Sequence, residues 1–164
     1  MGEQKVSLVK DEAQKQRFVR NVLNDIRAFE YMLEQNWFED DIMRIGAEQE
    51  MCMVDAKTFK PAPIVGDVME VMKDHPWLET ELARFNLETN LTPRTFKDRS
   101  LALMEQELQH TQHVIKKQLQ KMGTKTILTG ILPTLRKFDL EMHNLTPKPR
   151  YYALMESINA QLSK

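Results

Sequence analysis

Two glutamates stand two positions apart inside a run that otherwise predicts a buried β-strand. The run is RIGAEQEMCMV, residues 44–54, and the glutamates are Glu48 and Glu50. Because side chains alternate across a strand, both carboxylates are expected on one face, with apolar side chains on the other. Glu88 has the equivalent place on the polar face of a second predicted strand, ARFNLETNL. Two strands therefore each carry acids on one face and an apolar opposite face.

Three carboxylates on two neighbouring strands predict a site for a divalent cation. If the strands share a sheet, their polar faces coincide, and like charges that face each other across a sheet repel. A bound cation would offset this repulsion. Oxygen ligands suit Mg²⁺ or Mn²⁺, and magnesium is commonly held by a few carboxylates together with the phosphates of a nucleotide. The competing interpretation is a solvated sheet face, because half-exposed strands show the same alternation.

The spacing of apolar residues predicts the elements that must position these acids. Their order is helix, strand, short helix, strand, long helix, strand, helix, which is typical of an α/β or α+β sheet domain. The first helix is expected over residues 11–36, and Asp67 is expected to cap the short helix. The long helix should end near Met122, with Gly123 just past its end. A third strand, KTILTGIL, and a last helix from about Arg150 follow.

Composition excludes several classes of function. The chain has 164 residues, of which 29% are charged, and a formal net charge of -1, so nothing favours binding to nucleic acid or to an anionic membrane. No segment has the apolar length needed to span a bilayer, and the first residues lack a secretory signal. The single cysteine, Cys52, is expected to be a small buried hydrophobe in a reducing compartment, so a cytoplasmic location is expected.

Glu107 and His110 form a Glu-x-x-His pair on the long helix. This is the spacing of di-iron helical bundles, but such a site needs a second copy and two further glutamates. The sequence has no second copy, so we interpret the pair as part of a solvated helix face.

At the acidic strands the sequence resembles the glutamate–cysteine ligases and related carboxylate–amine ligases, which share a catalytic fold with glutamine synthetase. The family pattern G-x-E-x-E is matched by Gly46, Glu48 and Glu50. NLETNLTPRTF resembles the second acidic strand of the family, with Glu88 on its metal-binding glutamate. Glu81 stands seven residues earlier, where the family often carries an acid.

Two further segments extend the resemblance in the same order. LTGILPTLRKF resembles the G-T-H-P segment of the family, and TPKPRYYALMESI resembles the segment with its Arg-Tyr pair. The likeness covers roughly residues 45–158. It implies an α+β fold with a partial, mostly antiparallel sheet and packed helices, in which an amphipathic helix (residues 1–40) precedes the amino-terminal part of the catalytic domain (residues 41–164).

The resemblance also implies an activity. Family members use ATP to activate a carboxylate, typically the γ-carboxylate of glutamate, as an acyl phosphate that an amine then attacks, as in glutathione biosynthesis. Glu48, Glu50 and Glu88 would be the catalytic metal ligands for Mg²⁺ or Mn²⁺. Arg150 would contact ATP or an anionic substrate, although a surface arginine near a helix start looks the same.

Two departures from the family pattern qualify this expectation. Leu132 stands where the family has a histidine, and the chain ends where the family's next strand, with its histidines, should begin. The chain is therefore expected to be the amino-terminal part of a longer enzyme, inactive alone, with the rest of that enzyme or a second copy as partner. The alternative is a non-catalytic truncated relative that binds a ligand or a partner chain and self-associates through an uncovered sheet edge.

Overall fold

The computed structural model describes residues 6, 9 and 11–162. Two segments are expected from the sequence, residues 1–40 and 41–164. The start of the first and the end of the second lie outside the described residues. In chain order the elements are α1 (Glu12–Glu34), β1 (Arg44–Ile45), β2 (Glu48–Asp55), α2 (Val65–Val71), β3 (Leu78–Thr80), β4 (Asn86–Asn90), β5 (Arg94–Thr95), α3 (Ser100–Lys121), β6 (Thr124–Ile127), two short 3₁₀ turns (Lys137–Leu140 and Met142–Asn144) and α4 (Pro149–Leu162).

A four-stranded antiparallel sheet forms the centre of the molecule. Its strand order is β3-β4-β2-β6, and every neighbouring pair is antiparallel. The short strands β1 and β5 pair separately. The predicted α+β class with a mostly antiparallel sheet is confirmed.

The back of the sheet, packed against α2 and α3, carries the main hydrophobic core. On β2 the odd positions point to this side, and Met51 and Met53 are fully buried there together with Leu87 of β4. Ile115 and Leu119 of α3 complete the packing. Burial of such side chains contributes about 1.5–3 kcal/mol each, so the alternation seen in the sequence decides which face of each strand turns inward.

A smaller apolar cluster covers part of the opposite face, which we call the front. Cys52 and Val54 of β2 are buried there against Leu132. Leu132 is 2% exposed, because the chain leaves β6 and folds back over the front of β2. The leucine that replaces the family's histidine is therefore a packing residue.

The structure corrects several predicted boundaries. The first strand is broken at Gly46 and Ala47, which separate β1 from β2. The third strand ends at Ile127, because the residues after it turn back to bury Leu132. Asp67 lies in the first turn of α2, whereas Ile64 occupies the cap position without a side-chain bond. The short strands β1, β3 and β5 are too short to give a periodic signal.

Helix α1 forms where the apolar periodicity predicts it. The side chain of Asp11 accepts a hydrogen bond from the backbone N–H of Gln14 at 2.7 Å, which caps its start. None of its residues is buried, and apolar side chains such as Phe18 and Ile26 are more than half exposed. Among the described residues, no helix combines the length and apolar character that crossing a membrane requires.

Glu107 ties the segment after β4 to helix α3. Its carboxylate accepts hydrogen bonds from the backbone and hydroxyl of Thr92, and Arg94 Nη2 lies 2.6 Å from Glu107 Oε2. Burial alone would raise the pKa of Glu107, but the bonds from Thr92 and Arg94 outweigh it and hold the pKa below its ordinary value. Glu107 is thus a structural anchor, and not half of a metal-binding pair with His110.

We expect Glu107→Gln to lower the free energy of unfolding by about 1–2 kcal/mol at neutral pH, because a partly buried hydrogen-bond network loses its negative charge and one of its two acceptor oxygens. A carboxylate with a depressed folded pKa stabilises above the ordinary glutamate pKa, and this contribution disappears as pH falls through the depressed value. The difference from the parent, measured by urea unfolding, should therefore shrink in acid. The exposed Glu105→Gln is the matched control, and an equal loss there would contradict the assignment.

Candidate metal centre

The antiparallel register brings acids of three strands into one row on the front of the sheet. Glu50 of β2 is the direct partner of Glu88 of β4, and Glu88 is in turn the partner of Glu79 of β3. Like charges in directly opposed positions destabilise a sheet. A row of three acids across adjacent strands is therefore costly unless a cation or a proton compensates it.

Glu81 joins this row from the loop that follows β3. One carboxylate oxygen from each of Glu50, Glu81 and Glu88 lies within 4.8 Å of the other two, and we call these three residues the carboxylate cluster. Glu88 is 7% exposed, Glu81 is half-buried and Glu50 is open to solvent. In the described part of the chain none of the three forms an ion pair with a lysine, arginine or histidine.

A distant segment of the chain holds Glu81 in place. The hydroxyl of Thr146 donates to the backbone carbonyl of Glu81, and the backbone N–H of Thr146 donates to Leu82 at 2.9 Å. Arg84 N–H donates to the carbonyl of Asn144 at 2.8 Å. The carboxylate of Glu81 itself accepts from the N–H of Leu82. The loop is therefore fastened on both sides of Glu81, which fixes the direction of its side chain.

The environment of the cluster favours a compensating positive charge. Burial raises the pKa of Glu88, the nearby carboxylates of Glu81 and Glu48 raise it further, and the neighbouring Asn90 amide only partly opposes them. A bound divalent cation would remove the same penalty that a proton removes. The three oxygens can converge on one point, and carboxylates are the ligands that Mg²⁺ and Mn²⁺ prefer. The residues present therefore fit such an ion.

The predicted trio and the cluster share two members. Glu50 and Glu88 come together as predicted, whereas Glu48 lies one front-facing position further along β2, opposite Asn90. Glu48 is close enough for its charge to raise the pKa of Glu88. Glu81 takes the third place in the cluster; its position in the family-like segment was the only sequence signal for it.

Two cavities flank the acidic row along the strand direction. The first, of about 440 Å³, lies on the Glu48 side and is also lined by Gly46 and Asn90. The amide nitrogen of Asn90 is buried near the Glu88 carboxylate, whose pKa it lowers, but it is not within hydrogen-bond distance of any described residue. It can therefore turn to donate to a ligand oxygen. The second, of about 300 Å³, lies on the Cys52 side and shares Glu50 and Glu81 with the cluster.

Arg150 begins helix α4 close to the acids. Its guanidinium donates to the hydroxyl of Tyr151 at 3.0 Å, and Tyr151 is buried. This bond, with smaller contributions from the charges of Glu81 and Glu79, raises the pKa of Arg150. Arg150 is therefore within electrostatic reach of Glu79 and Glu81.

Cys52 is the next front-facing residue after Glu50 on β2. Burial, together with the charge of Glu50, raises the pKa of its thiol. A thiol that stays protonated at neutral pH is a poor nucleophile, which agrees with the predicted packing role.

The comparison with protein families decides the relationship. The family described as glutamate-cysteine ligase family 2 matches residues 44–162, which include both acidic strands, Glu81 and Arg150. The chain belongs to the glutamate–cysteine ligase family. No curated protein and no solved structure gives a significant match. The family match supports ligase chemistry in general terms. The matched residues begin at β1, so helix α1 lies outside the matched part of the chain.

Glu88→Gln should stabilise the metal-free protein while abolishing its response to Mn²⁺. In a chelating buffer we expect a gain of about 0.5–1 kcal/mol, because one of several facing charges is removed. Added Mn²⁺ should raise the melting temperature of the parent and of Glu48→Gln, but not of Glu88→Gln or Glu81→Gln, because an ion stabilises only the form that binds it. If Glu48→Gln reduced the Mn²⁺-induced rise in melting temperature more than Glu81→Gln did, the ligand set would be Glu48, Glu50 and Glu88, as predicted from the two strands alone.

The raised pKa of Glu88 predicts a pH dependence of opposite sign to that of Glu107. A folded-state pKa above the ordinary glutamate value means that the folded form holds its proton longer than the unfolded form. The stability of the metal-free protein should therefore fall as pH rises from the ordinary to the raised value, and level off above it. Mn²⁺ affinity should fall as pH drops through the same window. Both trends should vanish in Glu88→Gln; persistence in that variant would assign them to another group.

Proposed function

We propose that this chain supplies the metal and nucleotide site of an ATP-dependent carboxylate–amine ligase, which forms an amide through an acyl phosphate. Turnover is proposed for the full-length form of the enzyme. The observation that carries it is the carboxylate cluster, which lies within the matched family region and which has no protein cation paired to it in the described part of the chain. Membership of the glutamate–cysteine ligase family supplies the reaction class.

In this proposal Glu50, Glu81 and Glu88 hold Mg²⁺ or Mn²⁺, with Glu48 in an outer position. When bound, the ion would neutralise phosphate charge and polarise the transferred phosphoryl group. The side chains supply the rest of the arrangement. Glu88 is the buried member of the cluster, and its pKa is raised by that burial and by the neighbouring carboxylates.

The cavity on the Glu48 side is the proposed place for the phosphates and the acid substrate. Gly46 leaves open space beside the backbone, since a Cβ atom at this position would meet nothing within 4 Å. The unpaired amide nitrogen of Asn90 offers a hydrogen-bond donor to a phosphate or carboxylate oxygen. Arg150 is the proposed cationic contact for ATP or an anionic substrate at the Glu79 end of the row.

The proposed acid substrate is glutamate, activated at its γ-carboxylate. ADP release from the full-length protein, measured with Mg²⁺-ATP, glutamate and a panel of amines, tests the activity. We expect Glu88→Gln to reduce kcat by on the order of 100-fold or more, equivalent to about 2.7 kcal/mol of transition-state stabilisation. Glu156→Gln, an exposed acid on α4 outside the cluster, should leave the rate unchanged.

Binding experiments separate this proposal from a non-catalytic module. Isothermal titration with Mg²⁺-ATP should show binding in the parent and weakened binding in Glu50→Ala and Glu88→Ala. Binding without ADP release from any acid and amine pair would favour the module. Equal Mg²⁺-ATP affinity in the parent and both variants would remove the cluster from the site.

A further inference from the structure

The cavity on the Cys52 side of the cluster has an acidic end and an apolar end. Along the β2–β4 ladder, the front-facing pair Glu50 and Glu88 is followed by the pair Cys52 and Asn86, about 7 Å further on. The cavity extends from Glu50 over the pair of Cys52 and Asn86 and is bounded by Leu132 and Leu135 of the segment after β6. We call it the apolar pocket.

The floor of the apolar pocket is already packed. Cys52, Phe85 and Leu132 line it and are 5%, 4% and 2% exposed. The amide of Asn86 lies 4.0 Å from Cys52 Sγ, a weak contact that keeps this polar group beside the thiol. The floor therefore needs no rearrangement to accept an apolar group.

The rim of the apolar pocket exposes large aliphatic side chains. Ile131 is 79% exposed and Leu140 is 57% exposed, and both line the opening. Apolar side chains held at the mouth of a pocket gain most when a ligand removes them from water.

The charged residues that line the apolar pocket indicate the charge of a ligand that would bind there. Glu50 and Glu81 are the charged side chains that line the apolar pocket, and no lysine, arginine or histidine lines it among the described residues. Three carboxylates that hold one divalent cation keep a net negative charge, so an ammonium group is still attracted to this acidic end. A carboxylate would meet no protein cation there among the described residues. The complement of the pocket is a cation joined directly to a hydrocarbon group.

From this complementarity, and resting on the proposed function, we infer that the apolar pocket binds the amine substrate, and that this substrate is a primary amine with an aliphatic or aromatic substituent and no carboxylate beside its nitrogen. Its nitrogen lies at the acidic end, next to the cluster where the acyl phosphate would form. Its substituent lies over Cys52 and against Leu132. The acid substrate and phosphates occupy the opposite side of the row, so the two reactants approach from different cavities.

Titration calorimetry with propylamine, butylamine and pentylamine tests the inference on the full-length protein. We expect affinity to rise about two- to fourfold with each methylene, as burial of hydrocarbon requires. Norleucine differs from pentylamine by one added carboxylate, and should bind about tenfold more weakly, because that charge would lose its hydration without gaining a partner. A flat series, as expected if another part of the protein fills the pocket, or equal binding of norleucine, would overturn the inference.

Variants at the rim of the apolar pocket test whether the dependence of affinity on amine chain length arises there. Ile131→Asn and Leu140→Asn change exposed side chains, so the fold should survive, and both should flatten the dependence on chain length. Ile158→Asn changes an apolar residue on α4 that does not line the pocket, and should leave the dependence intact. Glu81→Gln should weaken all three amines by a similar factor without altering their relative affinities. An unchanged series in both rim variants would place the amine elsewhere.

Mn²⁺ affinity, measured by electron paramagnetic resonance on the same samples, reports on the cluster independently. Mn²⁺ binding together with a flat amine series contradicts the inference and leaves the proposed function standing. A steep amine series without Mn²⁺ binding contradicts the proposed function and supports the apolar pocket as an amine site.

Discussion

The pairing of Glu50 with Glu88 across an antiparallel ladder is the constraint on which the rest of the structure depends. The two charges repel, and the repulsion cannot be relieved by a shift of register. A slip of one residue would turn Met51 and Met53 out of the core and the glutamates into it. The hydrophobic packing against α2 and α3 therefore fixes the acids on the front, where a bound cation or a proton would offset their repulsion.

The site is assembled from parts of the chain that are far apart in sequence, and the polarity of the site changes from one end to the other. Glu81 is held through Thr146, and the far end of the front is covered by Leu132 after β6. Between them, polarity changes along one ladder, from Glu48 and Asn90 through the acidic row to buried Cys52. Under the proposed function, this change in polarity would favour an anionic acyl phosphate at one end of the ladder and an amine with a hydrocarbon substituent at the other.

Alternation in the sequence was enough to predict which face of each strand carries acids, because side-chain direction in a strand follows position alone. It could not predict Glu81, which lies in a loop and is directed by hydrogen bonds from a segment 65 residues away. Alternation also could not distinguish Glu48 from Glu50 as a member of the cluster, because both lie on the same face of β2. Only the pairing of β2 with β4, a property of two strands together, sets Glu50 against Glu88 and Glu48 against Asn90. Strand β3, three residues long, gives no periodic signal at all.

Leu132 connects the family pattern with the character of the pocket. A histidine at this position, as in the family motif, would bring a polar ring to the place where Leu132 now packs on Cys52 and Val54. A buried imidazole there would need a hydrogen-bond partner, and its desolvation would weigh against apolar packing. With leucine, the end of the pocket is hydrocarbon and only the acidic row remains polar. The replacement of histidine by Leu132 is thus what makes this end of the pocket apolar. The proposed metal ligands, Glu50, Glu81 and Glu88, are unaffected by this change, and the surface that an incoming amine would contact is the part that differs.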